Sequence, residues 1–169
     1  MNGEALRPEQ GYPIRLVVPG WEGNMWVKWL RRIEFGDKPY MTREETSKYT
    51  DLLSDGKARM FTWVMDAKSV ITSPCPEKPV LQKGIHQIRG LAWSGRGKIK
   101  RVDVSLDGGK NWKTAQLHSP VLEKSLTRFT IPFEWNGEEM LLQSRAIDET
   151  NYVQPTIKEL QNIRGVNSI

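Results

Sequence analysis

The second half of the chain alternates. Phe129, Ile131, Phe133 and Trp135 are separated by polar or small residues, the period of two expected of a strand with one dry and one wet face. Runs of similar character recur at Ile85 to Trp93, Ile99 to Leu106, Trp112 to Leu117, Ser125 to Trp135 and Met140 to Ile147. Between the second and third, Asp107-Gly108-Gly109 predicts a hairpin turn with left-handed backbone at the glycines. Short strands joined by short turns predict an immunoglobulin-like β-sandwich. Val70 to Ser73, and a piece near Ile157 to Val166, would supply a sixth and a seventh strand.

The first third lacks this regularity. Pro8, Gly11, Pro13, Pro19, Gly20 and Gly23 crowd around one apolar run, Ile14 to Val18, which reads as loop, short strand and tight loop. Val27 to Phe35 mixes branched and aromatic residues with cations and predicts a strand ending at Gly36. Thr42-Arg43-Glu44-Glu45 has the form of a helix start, with Thr42 at the N-cap. Ser73 to Pro79 carries Pro74, Pro76 and Pro79 and reads as a linker.

Composition narrows the classes. With 169 residues, 38% of them apolar, and seven Trp, the chain can build a core and is not a disordered segment. No apolar run reaches the length of a membrane span, mean hydropathy is −0.55, and residues 1–7 lack the apolar stretch of a signal peptide. The formal charge of +5 is spread along the chain without a block of like charges, so nucleic acid is not the expected partner. The single Cys75 permits neither an intrachain disulfide nor a cysteine metal cluster. Ser105 to Trp112 fits an S-x-D-x-G-x-x-W hairpin, read here as a turn in which Asp107 binds backbone amides and Trp112 caps the core. His86 and His118 are read as strand or turn residues, and no self-contained catalytic signature is present. These residues alone give an all-β domain with an irregular N-terminal appendage.

Gly11-Tyr12-Pro13-Ile14-Arg15-Leu16-Val17-Val18-Pro19-Gly20-Trp21-Glu22-Gly23, followed by Val27-Lys28-Trp29-Leu30, resembles the close of the cofactor domain in the sulfite oxidase family of molybdenum-cofactor oxidoreductases. Gly90 to Gly95, Val102 to Trp112, Ala146-Ile147-Asp148, Val153-Gln154-Pro155 and Arg164-Gly165-Val166 resemble that family's dimerisation domain in the same order. Tyr40 to Tyr49 is worded more like the bacterial sulfane dehydrogenases of the family than like its animal enzymes.

The resemblance implies a mainly β chain: the C-terminal fragment of an α+β molybdenum-cofactor domain over residues 1–65, then an immunoglobulin-like (E-set) dimerisation domain over 66–169 that lacks its last strand. It implies pyranopterin contacts at Gln10, Arg15, Trp26, Val27 and Lys28, where cationic donors would meet a phosphate-bearing ligand; Gln10 stands where many relatives carry His. It places Tyr49 beside the metal and Arg164 on a substrate oxyanion, with the backbone freedom of Gly165 letting Arg164 be aimed outward. Without it, Arg15 reads as a strand residue paired with an acid, Lys28 as a solvated cation, Tyr49 as a helix-surface aromatic and Arg164 as a loop charge.

The family holds molybdenum through a cysteine in a Cys-Ala-Gly-Asn type context that the chain lacks, and Cys75 does not stand in for it. No metal ligand is therefore expected among these residues. The resemblance casts the chain as the C-terminal portion of a molybdenum-molybdopterin enzyme and as a fragment not expected to act alone. The complete enzyme would be a periplasmic homodimer oxidising a small sulfur oxyanion or a protein-bound sulfane sulfur and passing electrons to a c-type cytochrome. The alternative is a free-standing β-sandwich that binds a ligand or self-associates without catalysis.

Overall fold

The computed structural model describes residues 2–60, 63–80 and 82–164. The chain divides into two compact units, one of Met1–Val64 with Thr156–Ile169, the other of Met65–Pro155.

The first unit holds little regular structure: α1 (Arg43–Lys48), the antiparallel pair β1 (Asp51–Leu52) and β2 (Ala58–Arg59), and α2 (Ile157–Arg164). The strands expected over Ile14 to Val18 and Val27 to Phe35 do not form. Pro13 and Pro19 offer no amide to a ladder, and Trp29, at φ 51°, leaves the extended region. What remains of the pairing is two bonds, from Leu16 N to the Val27 carbonyl and from Leu30 N to the Ile14 carbonyl, both 3.0 Å.

Thr42 occupies the N-cap of α1 without a side-chain cap bond; Thr46 Oγ1 donates to the Thr42 carbonyl at 2.8 Å instead. The piece near Ile157 to Val166 is not a strand: its described residues form α2. Thr156 and Glu159 make a capping box there, Thr156 N donating to Glu159 Oε2 (2.8 Å) and Glu159 N to Thr156 Oγ1 (3.3 Å). The Thr156 amide and hydroxyl hold the Glu159 carboxyl below the usual carboxylate range. Among the described residues of this unit only Gly11 and Gly20 are buried, so it has no apolar core of its own.

The second unit is the expected sandwich. β3 (Lys68–Ser73), β4 (Gly84–Trp93), β7 (Gln116–Leu117) and β8 (Thr127–Trp135) form one antiparallel sheet in the order β3-β4-β8-β7. β5 (Ile99–Ser105), β6 (Lys113–Thr114) and β9 (Gln143–Asp148) form the other, in the order β6-β5-β9. The first order is that of the A-B-E-D sheet of an immunoglobulin domain. The run expected as one strand over Trp112 to Leu117 changes sheet at the buried Ala115, whose amide donates to the Val102 carbonyl at 2.8 Å. Along β8, Thr127, Phe129 and Phe133 are buried while Arg128, Pro132 and Glu134 are exposed, and the two sheets close over a core that includes Ile88, Phe129, Val102, Val104 and Ala146.

Gly90 leaves room on β4 for the Phe129 ring: a Cβ there would lie 2.1 Å from Phe129 Cζ and 2.5 Å from the Val70 carbonyl. Ser73 to Pro79 is a tight turn between β3 and β4, within the sandwich, rather than a linker. Cys75 and Lys78 exchange backbone bonds across it.

The turn after β5 has the expected form. Gly108 and Gly109 are left-handed, Asp107 accepts from the Lys110 and Asn111 amides at 3.1 and 2.9 Å, and Trp112 Nε1 donates to the Gly109 carbonyl at 3.0 Å. Trp93 and Trp112 are both part-buried, so the sandwich presents no exposed Trp among its described residues, and a face of coplanar aromatics for sugar is not built. His86 meets the Gln82 carbonyl and His118 the Thr130 hydroxyl, each at 2.7 Å.

Candidate functional site

In the first unit a single helical turn, Pro8–Gln10, ends at Gly11, whose amide donates to the Pro8 carbonyl at 3.1 Å and whose φ of 107° only glycine adopts without strain. Its missing side chain matters as much. A Cβ on Gly11 would lie 3.0 Å from Lys28 Cβ and 3.3 Å from Arg15 Cβ, so glycine lets the segments bearing Arg15 and Lys28 close on the turn.

Arg15 Nη1 then donates to the Gln10 carbonyl (3.3 Å) and to Gln10 Oε1 (3.4 Å), and its guanidinium carbon lies 5.8 Å from the centre of the Trp26 ring. Lys28 Nζ donates to the Glu9 carbonyl at 2.7 Å and lies 5.6 Å from the Trp29 ring, which is tied by Nε1 to the Pro8 carbonyl at 3.0 Å. The Val27 carbonyl takes the Leu16 amide. Gln10, Arg15, Trp26, Val27 and Lys28 are thus one basic patch, and Arg15 is stacked and hydrogen-bonded rather than paired with an acid.

Two donors of this patch are shielded and unpaired. Arg15 Nε and Trp26 Nε1 are without a hydrogen-bond partner. A buried donor left unmade costs about 1–3 kcal/mol, so two beside an exposed lysine suit a ligand rich in acceptors. A pterin ending in phosphate has that chemistry, and the donor set fits it. Tyr49 and Arg164 stand elsewhere in the unit: Tyr49 caps the C-terminus of α1, 38% exposed, its amide donating to the Glu45 carbonyl at 3.3 Å. Arg164 is the half-buried last residue of α2, and the turn expected at Gly165 lies outside the described residues.

The sequence did not announce a cavity of about 790 Å³ in the same unit. Trp21 and Trp63 stack against each other there, with ring centres 5.4 Å apart and planes at 10°, and Phe35 and Tyr40 add to its wall. Asn24 Oδ1 and Glu45 Oε2 line it as shielded acceptors without a partner. Glu45 reads from sequence as a capping acid, and only the missing cap bond reveals that it points elsewhere. Among the described residues no group of three or more His, Cys, Asp or Glu could hold a metal ion, and no helix is long and apolar enough to cross a membrane.

The Mo-co oxidoreductase dimerisation domain family matches residues 59–169, and the oxidoreductase molybdopterin binding domain matches residues 1–44. Sulfite oxidase of Gallus gallus is 33% identical over 99% of the chain, and an NADH nitrate reductase of Solanum lycopersicum is 30% identical over 98%. The chain spans 39% and 21% of those relatives. The crystal structure of the sulfane dehydrogenase SoxCD from Paracoccus pantotrophus superposes with a TM-score of 0.90 at 67% identity, over 97% of the chain and 42% of that one. The chain belongs to the sulfite oxidase family of molybdenum-cofactor oxidoreductases, and its sandwich is that family's dimerisation domain.

Proposed function

We propose that the chain is the C-terminal portion of a molybdenum-dependent dehydrogenase of reduced sulfur compounds, in which the first unit holds the pterin end of the cofactor and the sandwich holds two copies together. The observation that carries this reading is the convergence of Arg15 Nε and Trp26 Nε1, both unpaired, on one donor-rich patch. Arg15 would offer a fork of N–H groups to the ligand's oxygens, Trp26 a single donor, Lys28 a mobile charge and Gln10 an amide that also orients Arg15. When bound, the cofactor supplies oxygen-atom transfer at molybdenum. Tyr49 would donate its phenol beside the metal, and Arg164 would hold the substrate oxyanion with a cation that stays charged at every working pH. A c-type cytochrome as electron acceptor, a homodimer and a periplasmic location complete the reading, supported by the family and by 67% identity to a sulfane dehydrogenase.

The test uses a chimera in which the part of the Paracoccus pantotrophus chain outside the match is fused to this one. Arg15→Gln with Lys28→Ala should cut the pterin released per protomer at least several-fold while the melting temperature of the sandwich is unchanged. Arg164→Gln should leave pterin content intact and lower kcat/KM by about tenfold to a hundredfold, the equivalent of one charge-assisted bond. Full pterin content in the double variant would remove the patch from the cofactor, and parental kinetics in Arg164→Gln would return that residue to a plain surface charge.

A further inference from the structure

Consecutive residues of an extended chain point their side chains to opposite faces, yet Lys28 and Trp29 reach the same turn. Lys28 Nζ donates to the Glu9 carbonyl at 2.7 Å and Trp29 Nε1 to the Pro8 carbonyl at 3.0 Å. Arg15 Nη1 takes the next carbonyl, that of Gln10, at 3.3 Å. The turn Pro8–Gln10 thus offers one carbonyl to each of these side chains and tethers both cations of the patch.

A bulge makes this possible. In a regular antiparallel ladder where Leu16 pairs with Val27, Ile14 would pair with Trp29; instead the Leu30 amide donates to the Ile14 carbonyl. Val27 to Leu30 therefore holds one residue more than Ile14 to Leu16, and the extra residue is taken up where Trp29 turns left-handed, at φ 51°. A bulky residue is strained there, and such strain persists only where the surroundings fix it. Trp29 is 55% exposed, so burial does not fix it; the bond to the Pro8 carbonyl does.

Donor counting separates the roles. An ammonium has three N–H donors and a guanidinium five, so Lys28 and Arg15 keep donors for a ligand after tethering to the turn. An indole has one, and Trp29 spends it on Pro8. Its ring centre also lies 5.6 Å from Lys28 Nζ, within cation–π range, so Trp29 constrains Lys28 both through the backbone and through the ring. We propose that Trp29 is a positioning residue of the pterin patch: its left-handed bulge, latched to the Pro8 carbonyl, aims Lys28 and holds it for an anionic group of the cofactor. The inference rests on the reading of the patch as the pterin site, and Trp29 acts through Lys28 rather than on the ligand.

The experiment uses the chimera with the Paracoccus pantotrophus part. Pterin release is followed by the fluorescence of the freed pterin, and melting is measured on pterin-free protein. Trp29→Gly places a residue at ease at φ 51° and removes latch and ring together; Trp29→Phe keeps the ring and removes only the latch. Release should quicken about tenfold in Trp29→Gly and about threefold in Trp29→Phe, as expected for one hydrogen bond lost with and without the ring contact. The pterin-free melting temperature should hold or rise in Trp29→Gly, because strain is relieved, and turnover per bound pterin should stay parental in both variants. On a Lys28→Ala background, Trp29→Gly should quicken release no further than Lys28→Ala alone. Parental release in both Trp29 variants, a full additional loss on the Lys28→Ala background, or pterin loss that follows a lowered melting temperature in both variants would each overturn the proposal. If Arg15→Gln with Lys28→Ala empties the site while the Trp29 variants retain pterin, this inference alone fails. If that double variant keeps its pterin, the patch reading falls and takes this inference with it.

Discussion

Replacing Asp148 tests the logic of the sandwich most directly. The residue ends β9 with 0% exposure, and its carboxylate accepts from Ser94 Oγ (2.8 Å), Thr150 N (3.0 Å), Thr150 Oγ1 (2.6 Å) and Tyr152 N (3.2 Å). Burial pushes its pKa up, but the bonds from Thr150, Ser94 and the Tyr152 amide outweigh this and hold it below the ordinary value. Asp148→Ala strands the buried Ser94 hydroxyl and leaves the loop donors to find water. Bonds to a charged acceptor contribute about 1.5–3 kcal/mol each and do not add, so a loss of about 3 kcal/mol is expected. For a domain of this size that is a fall of about 12–24 °C in Tm.

Asp148→Asn keeps one acceptor oxygen for the Thr150 and Tyr152 amides and should cost less than half as much. The sign with pH follows from the depressed pKa. The carboxylate's contribution is complete above its unfolded value of about 3.9 and fades as pH falls through the lower folded value. The Tm gap between parent and Asp148→Asn, measured by calorimetry, should therefore be constant from pH 8 to 5 and shrink below pH 4. A gap absent at neutral pH, or one that widens in acid, would refute the argument.

Gly90→Ala should lower Tm by at least 10 °C, since a methyl at 2.1 Å from Phe129 Cζ forces the largest fully buried side chain out of place; parental melting would mean that β4 shifts freely. Asp107 should titrate below a model aspartate in a carboxyl-detected NMR pH series, because the Asn111 amide, the Asn111 side chain and Ser105 all donate to it. An ordinary midpoint would show that the turn is open in solution. The Arg145 guanidinium lies 4.1 Å from the Trp112 ring centre, and a double-mutant cycle of Arg145→Met with Trp112→Leu should return a coupling of about 0.5–1 kcal/mol; zero coupling would count against the stack.

The sandwich was legible because its strands bury one face against a core made within the same unit, so the alternation of Phe129, Ile131, Phe133 and Trp135 carries its own explanation. The first unit writes no such pattern. Val27 to Phe35 has strand composition, yet its apolar residues have no core of their own to face, and Trp29 turns the chain out of the extended region. α2 was hidden for a different reason: Ile157, Leu160 and Ile163 follow a helical spacing over too short a stretch to outweigh an expected last strand, although Thr156 and Glu159 already spelled its cap.

The grouping of Gln10, Arg15, Trp26, Val27 and Lys28 came from the resemblance alone. Periodicity can place Arg15 in an extended segment and Lys28 on a surface, but only the approach permitted by Gly11 makes neighbours of positions 10, 15 and 28. The cavity acceptors gave no signal at all, since an unpaired Asn24 or Glu45 looks like any other polar residue until its partners are counted.

The change of sheet at Ala115 has a mechanical consequence. β6 pairs with β5 in one layer and β7 pairs with β8 in the other, so a single residue stitches both layers with continuous covalent chain. The layers cannot hinge apart like a book while the stitch holds. Load applied to one is carried directly into the other, so a subunit gripped on one layer has both layers steadied. The Ala115 amide, bonded to Val102, should then exchange its proton only when the whole sandwich comes undone, at the rate of its slowest core amides.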